Sequence, residues 1–547
     1  MQKRMILMTV LLVMAQMLIA GVVKTKVMPA TYATGIGNTD APILYIMVEV
    51  DGKDAAAPIE GIKFTLKGTT QIKDVTSVKF YQTLNDFGLH LKDAERKLLG
   101  TYKVNKNLSQ NDEIVMDFQG LKGELHEGKN YFWLTADVSK KAAEGHFINA
   151  SLISYFSGND KREYAFDSQE IDGHPFTGSQ IFLTESTLAG IWSEHSHYWR
   201  IPAIATGRNG RLIAVMDKRW DSNYDLPNNI DVATCYSDDG GRTWSPLQTI
   251  AGTLQLGGDY GHGDPGIIYN KRTGDLMVIV VSKNGFLPST PDERALIKLI
   301  VSHDNGETWD EPRDITDQIY GTGCADPVRA KWRGAFAASG AMMQTQSGRI
   351  MTVLCVIEDE KKQITNYVMY SDDDGQNWTV CPSRVATQGD ESKVVELSDG
   401  RISVSVRHRG GRFFNVATVD QNGELHFGEQ TLCEDLMEPA CNGDYIRYST
   451  NKIGVDQKLL LHTICHHPSD RRNVSVFLSE DDGQTWLKHV RPICPGRSGY
   501  SALTVLKDGT IGCFFEEDAP SEKGYIGYNL RFVRFSMNWL TGGKGKK

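Results

Sequence analysis

Basic runs are missing from this chain. No tract of lysine and arginine stands out along its 547 residues, and the formal net charge is −9. Without a patch that could neutralise phosphates, nucleic acid is excluded as a main partner. Metal-ligand spacing is missing as well. The nine cysteines include no C-x-x-C pair, and the His/Cys cluster His462-Thr-Ile-Cys-His-His467 has no second ligand group at a zinc-like distance. No metal and no cofactor are therefore expected. All cysteines fall between Cys235 and Cys513, and their number is odd, so at least one thiol is left over within the chain. Cys433 and Cys441 are close enough along the chain to bridge in an oxidising compartment.

No apolar run after the first twenty residues is expected to span a membrane. That first stretch has a basic start, Gln2-Lys3-Arg4, an apolar run opening at Met5–Leu12, and an end at Leu18-Ile19-Ala20. It reads as a secretory signal peptide over 1–22, too short for a retained spanning helix. No cysteine near the cleavage region supports a lipid anchor. The mature chain is expected outside the cytoplasm: periplasmic, secreted or surface-associated.

Short alternating runs then follow at Ile43–Val50, Ile62–Lys67, Val75–Gln82, Ile114–Phe118, Tyr131–Val138 and Phe147–Ile153. Turn residues between most of them predict an antiparallel β-sandwich over 23–158, a structural spacer or a carbohydrate-binding module. Residues 159–184 read as a connector, and 185–547 as a second domain with an internal repeat.

The repeat is S-x-D-x-G-x-[TN]-W, at Ser237–Trp244, Ser302–Trp309, Ser371–Trp378 and Ser479–Trp486. Its aspartate can accept N–H groups across a turn, its glycine supplies positive φ, and its tryptophan plugs a strand junction. Each copy follows an apolar strand, so the repeat is a folding device, and its recurrence predicts radial β-sheet blades. The length of the segment suits a six-bladed β-propeller with some blades unmarked. Near its end, Ser501–Leu506 and Thr510–Glu516 read as two strands joined by Lys507-Asp508-Gly509, a tight turn that needs positive φ. Flexible Gly-Arg-Ser-Gly precedes Tyr500, and Glu516 interrupts an apolar run.

These repeats resemble the Asp boxes of sialidases. A second, scattered set of residues is similar to the exo-α-sialidases of glycoside hydrolase family 33, from Ile191 to the C-terminus. The amino-terminal sandwich resembles an extra domain of some bacterial members. The matching motifs are Tyr198-Trp-Arg-Ile-Pro202, with Trp199 a mild departure, Glu391 to Arg407 across an Asp-Gly hairpin, and Asp470-Arg-Arg-Asn-Val-Ser475. The resemblance implies that Arg200, Arg407 and Arg471 grip a substrate carboxylate, with Arg472 as the alternative to Arg471. It implies that Glu516 steadies Arg200, that Tyr500 is the nucleophile, and that Glu391 is its general base. In the segment 216–232, Arg219 matches a binding arginine and Asp225 the acid/base. Asp221 is the nearest rival, and Asp231 reads as structural. In Gly261-His-Gly-Asp-Pro-Gly266, Asp264 is implied in binding the amide side of the sugar, while His262 serves the loop.

The chemistry is coherent. A sialic acid bears its carboxylate on the anomeric carbon, so guanidinium forks fix it bidentately. An anionic nucleophile would meet that carboxylate, whereas a neutral phenol deprotonated as it attacks avoids the repulsion; sialidases with a tyrosine nucleophile are a recognised exception among retaining glycosidases. A loop aspartate is desolvated when substrate covers it, which favours its protonated form. The expected function is hydrolysis of terminal sialic acids from glycoproteins, glycolipids and oligosaccharides by a bacterial, monomeric, exported enzyme. A trans-sialidase would carry the same residues. A non-catalytic sialic-acid-binding propeller would keep the arginines without needing Tyr500, Glu391 and Asp225 together.

Overall fold

In the computed structural model, residues 21–543 are described, apart from 53–56, 86–95, 106, 166–168, 171–177, 192, 194–195, 197, 253–260, 362, 451–456 and 520–525. The signal-peptide segment lies outside them except for its last two residues. These belong to a strand, Gly21–Pro29, that pairs antiparallel with Ala41–Asp51. The described chain is almost entirely β, and its contacts divide it near residues 181 and 182 into two units.

In the first unit, a six-stranded sheet holds Ala41–Asp51, Gly128–Val138 and Val75–Thr83 at its centre. A four-stranded sheet carries Ser151–Ser157, Gly61–Thr65 and Ile114–Asp117. Alternate residues of both, among them Val48, Phe80 and Leu134 from one and Phe64, Met116 and Leu152 from the other, share one apolar core. Period-two alternation buried on one face explains why the sequence marks these strands well. The expected connector 159–184 is more structured than a linker: Arg162–Ala165 pairs with Ser151–Ser157, and Ser179–Phe182 with Phe147–Ile148. The strand Arg162–Ala165 is exposed along its length, so no apolar alternation announces it.

The second unit is a series of mainly antiparallel sheets, with one parallel pair between Gly261–Tyr269 and Gly340–Ala341. Four of them are led by Tyr198–Thr206, Gly261–Tyr269, Gly334–Ala337 and Ser392–Glu396. A seven-stranded sheet follows, built on the long strand His489–Val505, which pairs with Arg472–Ser479 along one part and Ile511–Asp518 along the other. Its outer edge is Thr184–Ala189, paired with Tyr528–Phe535, so the start of the unit completes the last sheet. Tyr198–Thr206 packs on both Gly261–Tyr269 and His489–Val505, and Ser392–Glu396 packs on Asp444–Arg447.

The four Asp boxes fold alike. Asp239, Asp304, Asp373 and Asp481 each accept the backbone N–H four residues on and a side-chain bond from the same residue. The serine two residues before each aspartate accepts the glycine N–H. Gly241, Gly306, Gly375 and Gly483 take φ between 81° and 89°. The residue before each, Gly240, Asn305, Asp374 or Asp482, is also at positive φ, which explains a position the consensus leaves open.

Candidate active site

Site residues stand at strand ends and at irregularities in the ladders. Registers shift between Arg200 and Ala203, between Gly263 and Gly266, and between Ser498 and Ser501. A bulge re-aims a side chain that regular alternation would place in a sheet face. Ile201 and Asp264 accordingly take φ of 56° and 53°, uncommon for side chains other than glycine. Tyr500 lies within the continuous strand His489–Val505, at such a bulge, and not after a flexible loop.

Three guanidinium groups surround the Tyr500 ring. The Cζ atoms of Arg200, Arg471 and Arg407 lie 4.9, 5.4 and 5.8 Å from its centroid. The phenol donates to Glu391 Oε2 at 2.5 Å and accepts from Arg407 Nη1 at 3.0 Å. Arg407 also pairs closely with Glu391, and Asp390 lies 3.4 Å from it. Ser392 pairs with Val406, which brings Glu391 and Arg407 together at one end of a hairpin. Burial pushes the phenol well above its ordinary pKa and Glu391 adds to this, against the three arginines, so it is neutral at any working pH.

Glu516, fully buried, does more than hold Arg200. Its Oε1 accepts Arg200 Nε at 2.8 Å and Ile201 N–H at 2.9 Å; its Oε2 accepts Tyr500 N–H at 2.8 Å. One carboxylate thus fixes an arginine, a strained bulge and the backbone of the tyrosine. A Cβ on Gly499 would fall 2.1 Å from Glu516 Oε2, so the close approach requires glycine there. Arg471 is less constrained. Among the described residues its guanidinium has no carboxylate partner, and it borders Tyr500 and the buried thiol of Cys441. Cys433 and Cys441 are both free thiols, and Cys441 neighbours Cys465 instead.

On another side of the site, Arg219 Nη1 lies 2.8 Å from Asp225 Oδ1 and donates to Asn223 O at 2.6 Å. Asp225 is 71% exposed in its loop. Asp221 is exposed, and Asp231 accepts the Trp220 indole N–H at 3.0 Å, a structural bond. His262 is buried, which pushes its pKa down to about 4 and keeps it neutral. One carboxylate escaped the sequence reading. Asp217, buried, accepts two bonds from Arg219, at 2.9 and 3.2 Å, and the Asp264 N–H at 3.0 Å. It looks like an ordinary strand residue in the sequence; its position two before Arg219, on the same face of the strand, was the available signal.

Burial pushes the Asp217 carboxyl up to about 6, against Arg219 and with help from Asp225. Burial, then Asp217, Asp225 and Glu391, push Asp264 up too. Unfolded, an aspartate titrates near 3.9. Between about pH 4 and 6 the folded chain therefore holds a proton here that the unfolded chain has released, and this contribution to stability falls as pH rises, by up to about 1.4 kcal/mol per unit. In Asp217→Asn the share of that slope due to Asp217 disappears: urea unfolding at pH 4, 5 and 6 should show the variant gaining on the wild type as pH rises. Parallel curves would contradict it.

Among the described residues, one group could hold a metal by its donor types: Asp420, Glu424 and His426. It sits in an exposed hairpin turn where Asp420 already accepts the N–H groups of Asn422 and Glu424. A cavity of about 930 Å³ opens at the other ends of the same strands, lined by Thr206, Tyr269, Glu396 and Leu506 among others, and it includes none of Arg200, Asp225, Glu391, Arg407, Arg471 and Tyr500.

Bulged strands thus bring three arginines, a buried glutamate and a phenol together, on sheets stapled by Asp boxes. The BNR repeat-like domain matches residues 222–513, more than half of the chain, and the N-terminal domain of BNR-repeat neuraminidase matches 31–161. The chain belongs to the sialidase family of BNR-repeat proteins. It is 31% identical to a sialidase of Micromonospora viridifaciens over 69% of its own length and 58% of that protein's. It is 25% identical to a sialidase of Bacteroides fragilis over 84% of both chains. Among solved structures, the Hadza microbial sialidase Hz136 shares the fold at TM-score 0.68 and 19% identity, covering 94% of this chain and all of that one. The intramolecular trans-sialidase from Ruminococcus gnavus does so at TM-score 0.54 and 17% identity, over 65% and 98%.

Proposed function

We propose that this protein is an exported exo-α-sialidase that releases terminal sialic acids from glycoproteins, glycolipids and oligosaccharides with retention of configuration. The observation that carries the reading is the single phenol ringed by Arg200, Arg407 and Arg471, with its hydroxyl on Glu391. The three forks take the substrate carboxylate and set the anomeric carbon beside the phenol. Glu391 removes the phenolic proton as the oxygen attacks, and Asp225 protonates the departing glycosidic oxygen. Asp225 then takes a proton from water, which displaces Tyr500; Glu391 returns the proton to the phenolate. Arg219 holds Asp225 in the loop, and Asp264 binds on the sugar's amide side. We read the sheets of the second unit as a closed six-bladed propeller; the pairing of Thr184–Ala189 with Tyr528–Phe535 supports closure. No metal enters the scheme, and a monomer suffices for it.

The test is release of free sialic acid from linkage-defined sialyllactoses by the purified mature chain, run with and without EDTA and with added isotopically labelled lactose. Free sialic acid in both EDTA arms is expected. No release under any condition would overturn the proposal, and predominant transfer to lactose would assign a trans-sialidase instead.

A further inference from the structure

Glu391 uses its two oxygens differently. Oε2 faces Tyr500 and Arg407, whereas Oε1 accepts the Ser339 hydroxyl at 3.1 Å. Ser339 Oγ in turn accepts Asn442 Nδ2 at 2.9 Å, and Asn442 Oδ1 accepts Lys393 Nζ at 2.8 Å. All four residues are buried, none of them more than 3% exposed. Lys393 is an odd residue to find here. It stands second in the strand Ser392–Glu396, and among the described residues no carboxylate is in ion-pair contact with it. A buried ammonium is costly unless something requires it.

The donor and acceptor inventory gives the chain one direction. An ammonium has donors alone, so it fixes the Asn442 amide with its oxygen toward Lys393 and its NH₂ toward Ser339. Ser339 has one proton, and because it receives the Asn442 N–H, that proton goes to Glu391. Every bond therefore points from the lysine charge to Oε1, which leaves Oε2, shared with Arg407, to take the phenolic proton.

We propose that Lys393 is a positioning residue for the base, acting through Asn442 and Ser339 to hold Glu391 in one rotamer with Oε2 turned to the phenol. The inference rests on the role proposed above for Glu391. Glu391 faces Tyr500, Arg407, Asp390, Asp264 and Cys355 besides this chain. Lys393 faces Asp444, Arg412, Cys355 and His462. Burial keeps the Cys355 thiol and the His462 imidazole neutral. Asp444 is occupied by the N–H groups of Leu503 and Tyr445.

Lys393→Met keeps the length of the side chain and removes its charge. The expected result is a kcat lower by about tenfold with a KM within about twofold. Ser339→Ala should lower kcat in the same way, and the double variant should be no worse than Ser339→Ala, since one path serves both. A folded Lys393→Met with wild-type kcat, or additive losses in the double variant, would overturn the proposal. Should Lys393→Met fail to fold, a wild-type kcat in Ser339→Ala would do so. The ¹³Cδ resonance of Glu391, recorded without substrate at one pH, should be displaced in the same variants, and an unmoved resonance would count against the proposal. That readout stands even if the wild type proves inactive on sialosides, which separates a failure of this inference from a failure of the sialidase reading.

Discussion

Replacing Tyr500 by phenylalanine is expected to lower kcat toward an aryl sialoside by about three orders of magnitude or more, with the fold intact. The substitution removes one oxygen and leaves the ring. The ring keeps its place among Arg200, Arg407 and Arg471, and the backbone keeps its bond to Glu516. Glu391 loses one donor but retains Arg407 and Ser339, so stability should fall by about 1–2 kcal/mol at most. Without the hydroxyl there is no covalent intermediate to split the reaction into two easier steps. Thermal melts beside steady-state kinetics check both halves. Turnover within tenfold of wild type would mean that Tyr500 is not the nucleophile.

Glu516→Leu should cost the fold more than any other single change in the site. The leucine fills the volume but strands the Arg200 charge in a buried setting, and it frees the N–H groups of Ile201 and Tyr500. Breaking one side of a buried ion pair costs about 3–5 kcal/mol. Ile201 adds to this, because positive φ at a β-branched residue is strained and persists when its surroundings over-determine it. The expected outcome is a large drop in the urea midpoint and loss of activity together, while Glu516→Gln, which keeps the shape, falls between. A Glu516→Leu protein as stable as the wild type would show that the clamp does not hold Arg200 and Tyr500.

The repeats were the most legible part of the sequence, because each Asp box closes its turn with its own residues and needs nothing distant. The hairpin from Glu391 to Arg407 was legible for a similar reason: its Asp-Gly turn sets a register that aligns both ends. Tyr500 was harder. Gly496, Ser498 and Gly499 read as a flexible approach, whereas the strand runs through them, and the glycine at 499 makes room for Glu516. Bulges at Arg200, Asp264 and Tyr500 leave no composition signal, since Ile201 and Asp264 occupy positive φ without being glycine. Asp217, Ser339, Lys393 and Asn442 were invisible for another reason. Each is one polar residue in or beside an apolar strand, and what makes it matter is a partner many residues away.

Incubation with a 2,3-difluorinated sialic acid, followed by peptide mapping in a mass spectrometer, tests most directly the claim that the ringed phenol is the group that attacks. The fluorines slow breakdown of the glycosyl–enzyme more than its formation, so the adduct accumulates. The expected result is one sugar per chain, carried by the peptide that contains Tyr500 and absent in Tyr500→Phe. An adduct on Glu391 or Asp225, or turnover of ordinary sialosides with no adduct at any residue, would contradict it.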